Sequence, residues 1–364
     1  VFPLARDNGL SGLLYESIDP AWTTKEELAL FQKDYFQYLK RDTLQMESVK
    51  QLHRLFHEQG IDHMFLKGTR LKQLYPQTYW RSMGDIDVLI RPEKMKQAHA
   101  IMDSLHYDNT SNSDNHDMFV KDRDVVVEIH PKLANEATQK HNALFDDVWG
   151  IAKEIKEHEF AFPAEVELVY LLVHLAKHFA SSGVGLRSVL DIGVFLWNKG
   201  DEISKPVLAK LLQETKLTLF YENMVRLNHR WFAFPILHHA GSGEVDDAFA
   251  DALLDYLIES GVHGKGRDFN SYLAGMAAKT AQSGSVIKGR VRFFLKMAFP
   301  SRVAMASSYP YLDKHGLLLP VAWFQRFWRL LFKKTKRTFR NIGRLRVEKK
   351  RIEDASELYR KLGL

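Results

Sequence analysis

The sequence has no cysteine, which excludes disulfides and thiolate metal sites and fits a reducing compartment. A cytoplasmic location is therefore expected. No uninterrupted apolar run comes close to the ~18 residues that a membrane span needs, so no transmembrane segment is expected. The start shows no basic-then-apolar signal. No internal repeat is evident, and strand-like patterning stops at Leu133. At 45% hydrophobic and 26% charged over 364 residues, the chain has an ordinary globular composition, with room for two domains or one with a large helical extension. The formal charge of +6 is small for this length, so its distribution matters more than its size.

The chain is organised around residues 61–90. A short apolar run, Ile61 to Leu66, ends in Lys67-Gly68-Thr69; a helical spell follows (Arg70 to Tyr75), and Asp85-Ile86-Asp87 opens a second apolar run to Ile90. Alternation along a strand puts Asp85 and Asp87 on one face and Ile86 and Val88 on the other. Two neighbouring carboxylates with no lysine between them repel. A hard divalent cation is the usual reason to tolerate that, because Mg²⁺ takes one or two carboxylates plus substrate phosphates. A glycine turn at a helix start offers free N–H groups and the positive end of the helix dipole, which suits a phosphate. Together they point to chemistry on a nucleoside triphosphate. Either motif alone is weak, since Asp-x-Asp is common on solvated surfaces.

Around this stretch, Trp22 to Leu44 and Glu47 to Gln59 read as two amphipathic helices, the first opened by a capping-box-like Thr23-Thr24-x-Glu26-Glu27 and the second closed by Gly60. Pro92 to Leu105 reads as a helix and Asp108 to Asp114 as a polar loop. Met118 to Lys121 and Val125 to His130 make a hairpin, in which Val126, Glu128 and His130 share a face. Glu128 is an acid inside an apolar strand, costly without a partner. It is either a third site carboxylate or an edge residue facing water.

Glu165 to Ala180 reads as a helix carrying His174, Lys177 and His178 on neighbouring positions. The pair at i, i+4 has zinc spacing, but no third ligand of similar clarity accompanies it and Lys177 would repel a cation. A basic cluster near phosphate, or purely local hydrogen bonding, are the other readings. Arg187 and Asp191 are four apart and can pair to support a helix. At the C-terminal end Trp323, Phe324, Phe327, Trp328, Leu331 and Phe339 form an apolar stripe among Arg326, Arg329, Lys333, Lys334, Lys336, Arg337, Arg340, Arg344, Arg346, Lys349, Lys350 and Arg351. Such an end is either a helix docked on its own domain with a solvated basic face, or one that lies on an anionic membrane surface or nucleic acid.

The order strand, glycine turn, helix, Asp-x-Asp strand, with a later third carboxylate, resembles the nucleotidyltransferase superfamily of the DNA polymerase β type. The fuller string of Leu66-Lys67-Gly68, Leu74-Tyr75-Pro76, Arg81 and Gly84-Asp85-Ile86-Asp87 is similar to a bacterial family of largely uncharacterised nucleotidyltransferases within it. Ala5 to Tyr15, Val127-Glu128-Ile129-His130, and the run from His174 through Lys177-His178 to Arg187 and Asp191 resemble further blocks. So does the basic end after Phe299-Pro300-Ser301 and Tyr309-Pro310, which would carry the resemblance over nearly the full chain. One departure is Gly68-Thr69, where the superfamily has Gly-Ser or Gly-Gly; threonine keeps the hydroxyl donor.

The resemblance implies an α+β fold: a small mixed sheet flanked by helices, with N-terminal helices and a large all-α C-terminal region. The expected boundaries are 1–46 for the N-terminal helical segment, 47–150 for the core and 151–364 for the helical region, its basic end at about 318–351. It further implies Asp85, Asp87 and Glu128 as catalytic carboxylates for two Mg²⁺ ions, with Mn²⁺ able to substitute. Lys67, Gly68, Thr69 and Arg81 would face the phosphates of ATP or another nucleoside triphosphate. His130 would orient Glu128 or the acceptor, and His174, Lys177, His178 and Arg187 would rim the nucleotide. The implied reaction moves a nucleoside monophosphate, AMP foremost, to an acceptor hydroxyl on a small molecule, peptide or protein, with RNA ranked below. A catalytically idle, antitoxin-like binding module and an RNA 3′-end nucleotide-adding enzyme stay open as alternatives.

Overall fold

The computed structural model describes residues 1–112, 116–122, 124–133, 144–235, 245–264, 270–306, 308–332 and 347–364. The chain divides into two compact units. The first comprises Val1–Leu175 and Gly185–Val245; the second comprises Ala176–Val184 and Asp246–Leu364.

The first unit begins with α1 (Phe2–Asp7) and α2 (Ser11–Tyr15), followed by the long α3 (Lys25–Glu58). Thr24 caps α3 by accepting the Glu27 N–H at 3.1 Å, with Glu26 and Glu27 in the first turn as the dipole favours. The two helices expected here are one, because no glycine or proline interrupts residues 41–50. The helix stops where Gly60 takes φ +58. There the Gly60 N–H reaches the His57 carbonyl and the Ile61 N–H reaches that of Phe56, a Schellman closure.

The sheet then forms from β1 (His63–Phe65), β2 (Ile86–Ile90), β3 (Asp108–Asn112), β4 (Asp117–Lys121), β5 (Val125–His130), β6 (Lys153–Lys156) and β7 (Glu159–Ala161), in the order β3-β4-β5-β2-β1-β7-β6. It is mixed: β2 runs antiparallel to β1 but parallel to β5. Helices α4 (Lys67–Leu71), α5 (Met95–Ser104) and α6 (Val148–Ile151) are interleaved with the strands. Val49, Leu52 and Phe56 of α3 and Ala98, Ile101 and Met102 of α5 cover Ile86, Val88, Ile90, Val127 and Ile129. Each such side chain larger than alanine, fully buried, stabilises by roughly 1.5–3 kcal/mol. One sheet face is thereby committed to core, and strand alternation sends Asp87, Glu128 and His130 to the other.

The sheet is wider than the sequence pattern indicated. Residues 108–112, expected as part of a polar loop, form edge strand β3, paired with β4 through a bulge between Asn109 and Ser111. On the other edge, β6 and β7 add strands beyond Leu133. Both edges are polar or charged, as exposed sheet edges must be to avoid pairing with another chain, and so lack the alternation that betrays a strand. The unit closes with α7 (Ala164–Phe179, assigned to it up to Leu175), α8 (Leu186–Lys199), α9 (Lys205–Thr215) and α10 (Thr218–Phe232).

The second unit is helical: α11 (Asp247–Ser260), α12 (Ser271–Ser283), α13 (Val286–Ala298), α14 (Arg302–Ala306), α15 (Tyr311–Lys314), α16 (Leu319–Phe332) and α17 (Lys349–Leu362). Tyr256 and Tyr359 share a hydroxyl–hydroxyl bond of 2.8 Å, and Met305, Tyr309, Leu312 and Ala322 form a separate small core. Of the basic end, residues 333–346, Lys333 to Arg346 among them, lie outside the described residues. Among the described residues no helix is long and apolar enough to cross a membrane. A mixed sheet with flanking helices and a large all-α C-terminal region is the polymerase β-like nucleotidyltransferase architecture expected.

Candidate active site

The site is built on the sheet face that the core leaves free. Asp87 on β2 lies opposite Glu128 on β5 in parallel register, and Leu89 lies opposite His130. Asp87, Glu128 and His130 each offer a ligand atom, and these atoms all lie within 4.8 Å of one another. His130 Nε2 is 2.8 Å from Asp87 Oδ1 and 3.6 Å from Glu128 Oε2. Glu128 is on an interior strand, between β4 and β2, so the wet-edge reading does not hold. His116 Nε2 stands 3.7 Å from its other oxygen.

The glycine turn meets this cluster from β1. The Leu66 N–H donates to the Asp87 carbonyl at 3.0 Å, which ties the turn to β2. Lys67 then takes φ +42, a left-handed conformation rare for a residue with a side chain. Its Nζ lies 2.7 Å from Asp87 Oδ1. A Cβ on Gly68 would sit 2.8 Å from the Met83 side chain and 3.1 Å from Arg81 Nη1, so any side chain there has to displace Met83. Thr69 is 1% exposed, with its hydroxyl 3.6 Å from Met83 Sδ.

The charges set one another. Burial alone would raise the carboxyl of Asp87, which is 3% exposed, but Lys67 and His130 outweigh it and hold Asp87 ionised well below the usual carboxylate range. Burial likewise opposes the Lys67 charge, and Asp87 more than restores it. Asp85, just before β2, is pushed up to about 6 by burial and then by the charges of Asp87 and Glu128. It is not in the three-residue cluster but feels it strongly. Two carboxylates and an imidazole this close, beside a third carboxyl whose proton affinity the two carboxylates help to raise, form a donor set that fits a divalent cation. Two carboxylates and an imidazole suit Mn²⁺ as well as Mg²⁺.

Two participants escaped sequence reading. Tyr170 on α7 has its phenol pushed up to about 12, by burial first, with Lys67 opposing and Asp87, Asp85 and Glu128 adding to the rise. It sits four residues before His174, so the spacing rule that pairs His174 with His178 also reaches Tyr170. His116 lies two before Met118, which is opposite Glu128, and period two would have put it on that face.

Arg81 lies beneath the turn. It forms a bidentate pair with Asp191, and its Nη1 is 3.5 Å from the Gly68 carbonyl. Arg187 donates to the Ser82 carbonyl at 2.6 Å. Both arginines are thus engaged in shaping the segment between α4 and β2. His174 and Arg187 belong to the first unit, Lys177 and His178 to the second; His178 Nδ1 is bonded to the Ser182 hydroxyl.

Comparison with known proteins agrees with this geometry. Residues 1–233 match the model of a family described as "Uncharacterised nucleotidyltransferase". The match ends at residue 233 and so does not reach the resemblance read at Phe299-Pro300-Ser301 and Tyr309-Pro310. No curated protein and no solved structure matches the chain significantly. The matched region contains the whole sheet, the glycine turn and every residue of the cluster: the chain belongs to the uncharacterised nucleotidyltransferase family of the polymerase β-like superfamily.

Proposed function

We propose that this protein is a cytoplasmic bacterial enzyme that transfers a nucleoside monophosphate, AMP foremost, from ATP or another nucleoside triphosphate to an acceptor hydroxyl, releasing pyrophosphate. The observation that carries it is the in-register meeting of Asp87 and Glu128 on adjacent parallel strands, with His130 beside both and the glycine turn at their edge. Asp85, Asp87 and Glu128, with His130, are the groups that would hold two Mg²⁺ or Mn²⁺ ions. Bound there, the ions would supply charge neutralisation at the α-phosphate and the departing pyrophosphate.

The chain's own residues do the rest. Glu128 accepts the acceptor's hydroxyl proton as its oxygen bonds to the α-phosphorus, and the α–β bridging bond breaks with its electron pair leaving on pyrophosphate. His130 holds the Asp87 and Glu128 carboxylates in place. Lys67 is close enough to Asp87 to share its charge between that carboxylate and a phosphate. Gly68 and Thr69 would hold the β- and γ-phosphates through the Gly68 N–H and the Thr69 hydroxyl, the Thr69 N–H being given to the Leu66 carbonyl at 3.2 Å. Arg81 and Arg187 act as positioning residues through Asp191 and Ser82. His174, on the same helix as Tyr170, adds positive charge when protonated.

A catalytically idle binding module is the second reading, favoured by one observation: Lys67 and His130 both already occupy Asp87 Oδ1. Incubation with Mg²⁺, cell-extract fractions and ATP labelled separately at the α and γ positions decides. Label from the α position in a product, lost in Asp87→Asn, supports nucleotidyl transfer. Label from γ means phosphoryl transfer, and no labelled product with either substrate means the idle module.

A further inference from the structure

Helix α13 has two apolar sides; among the described residues one packs against α12 and the other stands largely exposed. The inner side packs on α12: a Cβ added to Gly289 would collide with Thr280, and the Phe293 ring stands edge-on to Tyr272 at 6.1 Å. On the outer side Ile287, Val291, Leu295 and Phe299 follow one another at i, i+4 spacing, Ile287 75% and Leu295 53% exposed. A second column, Lys288, Arg292 and Lys296, runs beside this stripe at the same spacing and is also exposed. The stripe continues onto α16. The Phe299 ring packs on Trp323 at 5.1 Å and Phe327 at 5.9 Å, and Arg326 donates to the Ala298 carbonyl at 3.3 Å. From there Val321 and Phe324 face outward on α16, Phe324 66% exposed.

Neither helix contains an acidic residue. Residues 286–351 carry 18 lysines and arginines against two acids, Asp313 and Glu348, within a chain whose formal charge is only +6. The positive charge of the protein is therefore concentrated in the stretch of sequence that contains α13 and α16.

We propose that the outer sides of α13 and α16 form a face that lies on an anionic lipid surface, holding the protein peripherally with its helices parallel to the membrane. Such a surface satisfies both columns at once: the apolar stripe enters the acyl boundary while the lysine and arginine stems reach up to phosphate headgroups. The rival occupants satisfy one column each. A second copy across a two-fold axis would set these like charges against themselves. Nucleic acid would pair with the basic column but leave Ile287, Val291 and Leu295 in water.

Flotation of the full-length protein with vesicles tests this, and needs no nucleotide, so the result is independent of the transfer reaction. Vesicles of phosphatidylcholine alone are compared with vesicles containing about a third phosphatidylglycerol, at low and high salt. Binding to the anionic vesicles is expected to exceed binding to the neutral ones about tenfold or more and to weaken with salt. Two separate variants, Leu295→Gln with Phe324→Gln, and Lys288→Glu with Arg292→Glu and Lys296→Glu, are each expected to lower it about tenfold or more at an unchanged melting temperature. All changed positions are exposed, and if one variant misfolds the other decides. Absence of binding by the folded wild-type chain overturns the proposal, as does binding that neither variant changes. Self-association or salt-dependent RNA binding that the same variants abolish, without vesicle binding, assigns the face to a second copy or to nucleic acid and equally overturns it.

Discussion

Arg81 and Asp191 form a two-pronged ion pair, Nε to Oδ1 at 2.8 Å and Nη2 to Oδ2 at 2.9 Å, that fastens the segment before β2 to α8. Tyr75 donates its hydroxyl to the same Oδ1 at 2.8 Å, and Arg187 Nε is 4.0 Å from Oδ2. All four side chains are buried. Asp191→Ala would strand two guanidinium groups without their carboxylate, and removing one partner of a buried pair costs about 3–5 kcal/mol. Urea unfolding is expected to show a midpoint shift of that size at unchanged slope. Replacing Arg81 and Asp191 together with methionine and leucine is expected to recover part of the loss, since no charge of that pair is then stranded.

Gly68 is the tightest point of the glycine turn. Alanine there would press on Met83 Cγ and Sδ at 2.8 Å, and Met83 is itself packed in the sheet core. Overpacking of this kind costs about 1–3 kcal/mol. The pair Gly68→Ala with Met83→Ala separates the two roles of this position. Stability is expected to recover relative to Gly68→Ala in Met83→Ala background, as a positive coupling in a double-mutant cycle, while nucleotide binding stays weakened if the turn approaches phosphate.

The parts of this arrangement legible in the sequence share one property: they follow from local periodicity. Alternation put Asp87 with Asp85 and Glu128 with His130, and the long apolar runs of β2 and β5 marked the two central strands. What was not legible depends on partners distant in sequence. Asp191 reads as a helix neighbour of Arg187, yet its bidentate partner is Arg81, 110 positions earlier. Tyr170 is indistinguishable in sequence from the core aromatics of α7, and only the fold brings its hydroxyl under the influence of Lys67 and Asp87. Edge strands β3 and β6 are disguised by the polar and charged side chains that keep such edges from pairing.

Asp87 is expected to support both metal affinity and stability, and a second substitution separates the two. Asp87→Asn removes a ligand from the cluster, and Mn²⁺ binding followed by calorimetry is expected to weaken about a hundredfold, roughly 3 kcal/mol. It also leaves the Lys67 ammonium, 2.7 Å away, without its counter-ion in a buried site. Lys67→Met in the Asp87→Asn background is expected to restore stability without restoring Mn²⁺ binding. If the double variant binds Mn²⁺ like the wild type, the cluster is not the metal site.

His63 gives the protein a pH dependence that lies outside the active-site cluster. Its ring is fully buried on β1 between Phe56 and Phe65. Nδ1 is 3.0 Å from the Ile61 carbonyl and Nε2 is 2.9 Å from His53 Nδ1. A neutral ring that donates from Nδ1 to that carbonyl and accepts at Nε2 from His53 satisfies both contacts. Burial, above all, lowers its proton affinity to about 4, with the Ile61 carbonyl opposing and His53 assisting. In the unfolded chain the same group titrates near 6.5. Between those values the unfolded state binds a proton that the native state refuses, so stability must fall as the solution is acidified across this window. The contribution is complete above about pH 6.5, is lost progressively down to about pH 4, and changes no further below that. A shift of this size corresponds to about 3 kcal/mol. His63→Gln removes the group, so its urea-unfolding free energy is expected to lose this slope between pH 4 and 6.5 whatever its value at neutral pH. Parallel profiles for wild type and variant across that range would mean that the ring takes up its proton without leaving the fold.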